Sequence, residues 1–153
     1  FLRRELPAIG SRLEKVYRVY NQRYGPTLTG LPEVFEGLQS ELLSHLMKEE
    51  QILFPAILAC ERAATVSAPM PQLPFGTVAN PIRMMEMEHD EAGDALRRIR
   101  SITQDFAIPE YACVTYRALM AGLEELEQDL HLHIHLENNI LFPRAITVCT
   151  NRV

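Results

Sequence analysis

At 153 residues, with 47% apolar content and a formal charge of −5, the chain has the size and composition of one soluble globular domain with a real core. Lys15 and Lys48 are its only lysines, and an acidic chain without a basic face is a poor partner for nucleic acid or an anionic membrane surface. No apolar run reaches the roughly 18 residues that a bilayer span needs, and no charged leader followed by an apolar stretch marks a signal peptide.

Helical periodicity dominates and strand signals are almost absent. A first helix runs from the start to about Arg23 and ends at Tyr24, Gly25 and Pro26. The chain begins on Phe1, already inside that pattern, so this helix is expected to be truncated at its N-terminus. A second helix opens at Pro32, a favoured first-turn residue, and runs to about Ala63. A loop over roughly 64 to 79 follows, with Pro69, Pro71 and Pro74. The third helix opens at Asn80 and Pro81, a cap followed by a first-turn proline, and runs to about Thr103. The fourth opens near Pro109 and reaches about Ala145. Pro7, Pro55 and Pro143 fall inside or near the ends of these patterns and are expected to kink or end the helices. The expected fold is all-α, an up-down-up-down four-helix bundle forming a single domain over residues 1–153.

Cys60, Cys113 and Cys149 lie far apart without zinc-type spacing. An odd number of cysteines suits a reducing compartment better than a disulfide framework, so all three read as structural or incidental.

One stretch is written twice. HLMKEEQILFP, His45 to Pro55, aligns with HIHLENNILFP, His133 to Pro143, and both read H-x-x-x-E-x-x-I-L-F-P. Residues four apart on a helix lie on one face, so His45 points with Glu49 and His133 with Glu137. Residues two apart point away from each other, which sets His131 and His135 on the opposite, solvated face.

The inward face follows from the apolar stripes. Leu38, Leu42, His45, Glu49 and Ile52 recur at spacings of four and three on the second helix. Ile82, Met85, His89, Ala92, Leu96 and Ile99 do so on the third, and Leu119, Leu123, Leu126, Leu130, His133, Glu137 and Ile140 on the fourth. This is core periodicity, with imidazoles and carboxylates where leucine is expected. Burying such groups without partners costs several kcal/mol each, and a metal centre satisfies all of them together. Histidine and glutamate without thiolate suit iron, manganese or zinc. The repeated unit suggests two metals, about 3.5–4 Å apart, a gap one carboxylate spans. Glu41, one turn before His45, is either a carboxylate orienting that histidine or a surface charge. Glu88 and Asp90 beside His89 stand the same way. Glu50 reads as a surface residue, Met84, Met85 and Met87 as core and flank packing, and Arg97, Arg98 and Arg100 as a solvated helix face.

With these residues in place the chain resembles hemerythrin-type di-iron bundles, and more closely the repair-of-iron-centres family of the YtfE/ScdA type. The resemblance covers essentially the whole chain and is carried by LRRELP from Leu2, the two repeats, EHDEAG from Glu88, Pro109 with Glu110, Ala112 with Cys113, and Asp129 with Leu130. It implies two non-haem irons bound by His45, Glu49, His89, His133 and Glu137, with both glutamates bridging. It also implies a sixth ligand, a first-helix histidine just ahead of Phe1 and outside this sequence. Oxygen-carrying hemerythrins place a second histidine one turn after the His89 position, where this chain has Gly93, which implies a more open iron.

The function implied is cytoplasmic repair of iron–sulfur clusters damaged by nitric oxide or oxidants. The centre would donate iron, or bind and reduce nitric oxide, with iron–sulfur proteins as clients. The alternative is a hemerythrin-like carrier or sensor of dioxygen or nitric oxide.

Overall fold

The computed structural model describes residues 1–24 and 27–150, so Gly25 and Pro26, expected to end the first helix, lie outside the described residues. It is all-α: no strand forms among the described residues, only an isolated bridge between Leu73 and Gly76. The elements are α1 (Leu2–Tyr24), α2 (Leu31–Lys48), a π-helical turn π1 (Glu49–Leu53), α3 (Phe54–Thr65), α4 (Ala79–Ile102), α5 (Val114–Leu136), a second π turn π2 (Glu137–Leu141) and α6 (Phe142–Thr150). Each π turn joins its flanking helices without a break. The chain therefore forms four long helical runs over 2–24, 31–65, 79–102 and 114–150, the number its periodicity predicts.

Contacts divide the chain into two compact units, Phe1–Glu41 with Ala92–His131 and Leu42–Glu91 with Leu132–Val153. In the first unit, α1 buries Leu2, Leu6, Ile9, Leu13, Val16 and Tyr20 at alternating spacings of four and three, a continuous apolar stripe. In the second, Leu53, Ala56, Ile57, Val78, Ile82, Met85, Phe142 and Ala145 form one apolar cluster.

The prolines neither end nor break their helices, contrary to the sequence expectation. Pro7, Pro55 and Pro143 all face solvent, where water can satisfy the carbonyls they leave unpaired. Pro55 and Pro143 also stand at the second position after the π turns. Phe54 N–H donates to the Glu49 carbonyl and Phe142 N–H to the Glu137 carbonyl, five residues back in each case. The wider turn relieves the clash a proline ring makes with the preceding turn of an α-helix.

Two starts differ from expectation. The third run opens at Ala79, because Asn80 turns its amide back to the Phe75 carbonyl at 2.9 Å instead of capping the helix. The fourth opens at Val114, not Pro109. There the Tyr20 hydroxyl donates to the Tyr111 carbonyl at 3.3 Å and accepts from Cys113 N–H at 2.8 Å, holding the backbone in a turn closed by Ala112 N–H to the Pro109 carbonyl.

Arg97, Arg98 and Arg100 of α4 all face solvent, as expected. Arg97 pairs with Asp94, and Arg100 pairs with Asp105 at 2.7 Å and with buried Glu127. The methionine reading holds only for Met85; Met84 and Met87 are exposed.

Two helical glycines differ in their surroundings. A Cβ on Gly93 would meet only the Arg97 guanidinium at 3.6 Å, whereas one on Gly122 would press on Ile9 and Arg12 at 3.3 Å. Gly93→Ala is expected to raise stability by about 0.5–1 kcal/mol, and Gly122→Ala to yield none of that gain. Denaturant midpoints of the two variants check this; equal gains at both sites would refute it.

Candidate metal centre

The five side chains singled out by the repeated stretch and by the third stripe come together within the second unit. His45 and Glu49 arrive from the end of α2 and the first residue of π1, His89 from α4, and His133 and Glu137 from the end of α5 and the first residue of π2. His45, His89, His133 and Glu137 present ligand atoms all within 4.8 Å of one another. Glu137 Oε2 lies 3.1 Å from His89 Nε2, 3.2 Å from His133 Nε2 and 3.9 Å from His45 Nε2. Glu49 Oε1 lies 3.8 Å from His45 Nε2 and 4.0 Å from His133 Nε2. All are buried except the His133 side chain, which is 28% exposed.

The donor set fits a cation. Glu49 Oε1 and Glu137 Oε2 are buried and have no hydrogen-bond partner; although imidazole nitrogens stand nearby, none meets either oxygen in hydrogen-bond geometry. An orphaned buried carboxylate oxygen is costly. Two of them facing three ring nitrogens form a nitrogen-and-oxygen set suited to a divalent transition metal. His45 Nε2 and His89 Nε2 face each other at 3.3 Å, an arrangement that leaves room for at most one proton between them.

The outer ring nitrogens explain why the inner ones face inward. His45 Nδ1 donates to Glu88 at 2.8 Å, and Lys48 pairs with the other oxygen of the same carboxylate. His89 Nδ1 donates to Asn138 Oδ1 at 2.8 Å, while the Phe142 ring lies flat against the His89 ring, centroids 5.8 Å apart and planes 5° off parallel. A proton held on Nδ1 leaves the Nε2 lone pair free to ligate.

Glu88 therefore partners His45, a helix away in sequence from the neighbour it was expected to serve. Glu41 is exposed, as its surface reading has it. His131 and His135 are exposed, with Asn139 bonded to the His135 ring at 3.1 Å. Asn138 was not singled out from sequence. The available signal was two consecutive asparagines inside a helical pattern, where asparagine is unfavourable without a local role.

The stripes themselves need one correction. Ile52 and Ile140, placed on the inner face by their spacing, are 44% and 47% exposed. Each π turn adds a residue after its glutamate, which moves the buried position on by one to Leu53 in the first run; in the second, Leu141 is half-buried and Phe142 is the next fully buried residue. Such turns are rare and concentrate at functional sites.

Without a cation the two carboxylates cannot both ionise cheaply. Burial, with Glu137 beside it, pushes Glu49 up to about 9. Burial would also raise Glu137, but the imidazoles of His133, His45 and His89 close beside it outweigh that and hold it far below the usual range. Burial alone would lower His45, yet the nearby Glu137 carboxylate and its bond to Glu88 carry it above its ordinary value. The pair thus keeps one proton, on Glu49.

Comparisons with known proteins follow the same lines. The hemerythrin HHE cation-binding domain profile matches residues 2–145. The chain is 43% identical over 145 residues to the iron-sulfur cluster repair protein YtfE of Dickeya chrysanthemi, covering 94% of this chain and 59% of that protein. It is 41% identical over 144 residues to a probable iron-sulfur cluster repair protein of Haemophilus influenzae, covering 94% and 58%. Against the Yersinia pseudotuberculosis YtfE protein it is 42% identical over 146 residues, covering 94% and 59%. The chain spans less than two thirds of the length of these relatives.

Two outcomes are expected. In metal-free protein, native Glu49 keeps its proton to about pH 9 while the unfolded chain releases it near 4.5. Between those values the native state binds more protons, so this stabilisation is complete at the acid end and lost as pH rises. The thermal midpoint should fall steadily from about pH 5 to 9, at most about 1.4 kcal/mol per pH unit. Glu49→Gln should flatten the slope; a midpoint that rises with pH would contradict the assignment. Secondly, Asn138→Leu should weaken metal binding about 10–100-fold in chelator competition while the far-ultraviolet helical signal stays intact. Unchanged affinity would make Asn138 a bystander.

Proposed function

Because this chain belongs to the hemerythrin HHE cation-binding domain family, we propose that it is a single hemerythrin-like domain holding two irons for the repair of iron–sulfur clusters damaged by nitric oxide or oxidants. His45, His89 and His133 would supply nitrogen ligands, and Glu49 and Glu137 carboxylate oxygens. The observation that carries this reading is the pair of orphaned buried oxygens, Glu49 Oε1 and Glu137 Oε2, facing three imidazole nitrogens. The relatives' names favour repair over a gas carrier or sensor.

When bound, the irons supply Lewis acidity and reducing equivalents for a diatomic gas such as nitric oxide or dioxygen. The protein's part is to hold them. Glu88 and Asn138 fix the rings of His45 and His89 with Nε2 inward. Leu53, Ile82, Met85 and Phe142 keep the surroundings dry, which strengthens each electrostatic contact. The Glu49 proton leaves when metal enters, so binding tightens as pH rises. His133, the most exposed of the five side chains, is the natural point of exchange for gas or iron. Among the described residues no helix is long and apolar enough to cross a membrane, and we place the protein in the cytoplasm with iron–sulfur proteins as clients.

Anaerobic loading with ferrous iron should give about two irons per chain, and Glu137→Ala should hold fewer. Incubating the loaded protein with an iron–sulfur protein whose cluster nitric oxide has destroyed should restore that cluster, with iron leaving this chain. Consumption of nitric oxide without iron transfer would instead assign it reduction of the gas. Absence of metal under every loading condition would overturn the reading.

A further inference from the structure

Cys60 and Cys149, expected to stand apart, are joined in the second unit, their Cα atoms 5.2 Å apart. Cys60 lies on α3, which continues the run carrying His45 and Glu49. Cys149 lies on α6, which continues the run carrying His133 and Glu137. The cross-link thus ties the two copies of the repeated stretch at nearly matching places beyond their glutamates.

The apolar cluster connects it to the metal centre. Ala56 and Ile57 of α3 and Phe142 and Ala145 of α6 belong to that cluster, and Cys149 packs against it. Phe142 is also the ring stacked on His89. Each arm is a short continuous helix with a ligand glutamate just before it and a cysteine within it, midway along α3 and next to the end of α6. Tying the arms at the cysteines limits how far their near ends part, because packed helices move as rigid pieces.

We propose that Cys60 and Cys149 are a thiol–disulfide switch that sets how firmly the centre keeps its metal, tight when oxidised and loose when reduced. The inference rests on the metal-centre reading and on the cytoplasmic placement above, since a disulfide in a reducing compartment is usually transient or redox-sensing. Cys60 is fully buried and Cys149 is half-buried, so an incoming thiolate meets the Cys149 sulfur. Attack there by one thiolate of a small or protein dithiol forms a mixed disulfide and expels the Cys60 thiolate, which takes up a proton. The second thiolate of the dithiol then closes on the first and expels Cys149. Two electrons pass from the dithiol to the protein pair, and the dithiol leaves as its own disulfide. Oxidised glutathione reverses the sequence.

The test uses the iron-loaded full chain, oxidised with oxidised glutathione or reduced with dithiothreitol, then freed of reagent under anaerobic conditions. Alkylation and mass measurement give the state of Cys60 and Cys149, and a ferrous chelator reports the rate of iron loss. The reduced protein should lose iron roughly tenfold faster or more. Cys60→Ala and Cys149→Ala should lose it at the fast rate after either treatment, while Cys113→Ala should keep the difference. Iron held in both states and lost at equal rates would overturn the switch and leave the metal centre standing. Iron held in neither state would overturn the centre, and the switch with it. Free thiols at both positions after oxidised glutathione would also refute the proposal.

Discussion

Two carboxylates and three imidazoles share one largely buried site, and the rest of the second unit is arranged around that fact. Glu49 and Glu137 repel one another when ionised, and neither has a hydrogen bond on its inward oxygen. A proton on Glu49 is the makeshift solution, and a bound cation would be a fuller one. What surrounds the pocket serves to keep these groups facing each other although they gain nothing from it alone. Glu88 with Lys48 fixes one ring, Asn138 fixes another, and Phe142 lies flat over the second.

The two outer partners are not equivalent. His45 donates to a carboxylate, which makes its ring a stronger donor; His89 donates to a neutral amide, which does so less. The repeated sequence therefore builds a centre symmetric in its ligands but unequal in their basicity. The inequality comes from α4, which contributes Glu88 and His89 as consecutive residues and has no counterpart in the repeat.

Much of this was legible in the chain. The paired H-x3-E units picked out by register alone four of the side chains that the structure brings together, and the third stripe picked out His89, an imidazole at a leucine position. The four helical runs followed from apolar spacing. What escaped has a physical reason in each case. Ile52 and Ile140 were misplaced because periodicity assumes a constant turn, and the π turns violate it where the ligands sit. Val114 rather than Pro109 opens α5 because a tyrosine ninety-odd residues away in sequence occupies the backbone groups, a tertiary effect that no local window contains. Cys60 and Cys149 looked unrelated because their separation of 89 residues carries meaning only once the repeat is folded against itself.

The π turns carry a further consequence, concerning phase. Each inserts one residue, and a residue is worth about 100° of rotation along a helix. Removing one between Glu49 and Leu53 would restore ordinary helical bonding and improve the helix taken alone. It would also swing everything downstream by that angle, carrying Ala56, Ile57 and Cys60 off their buried face. The surplus residue works as a spacer in rotation: it lets one helix aim its upper half at the cluster of imidazoles and carboxylates and its lower half at a hydrophobic core, targets that an evenly wound helix of this sequence would not face together.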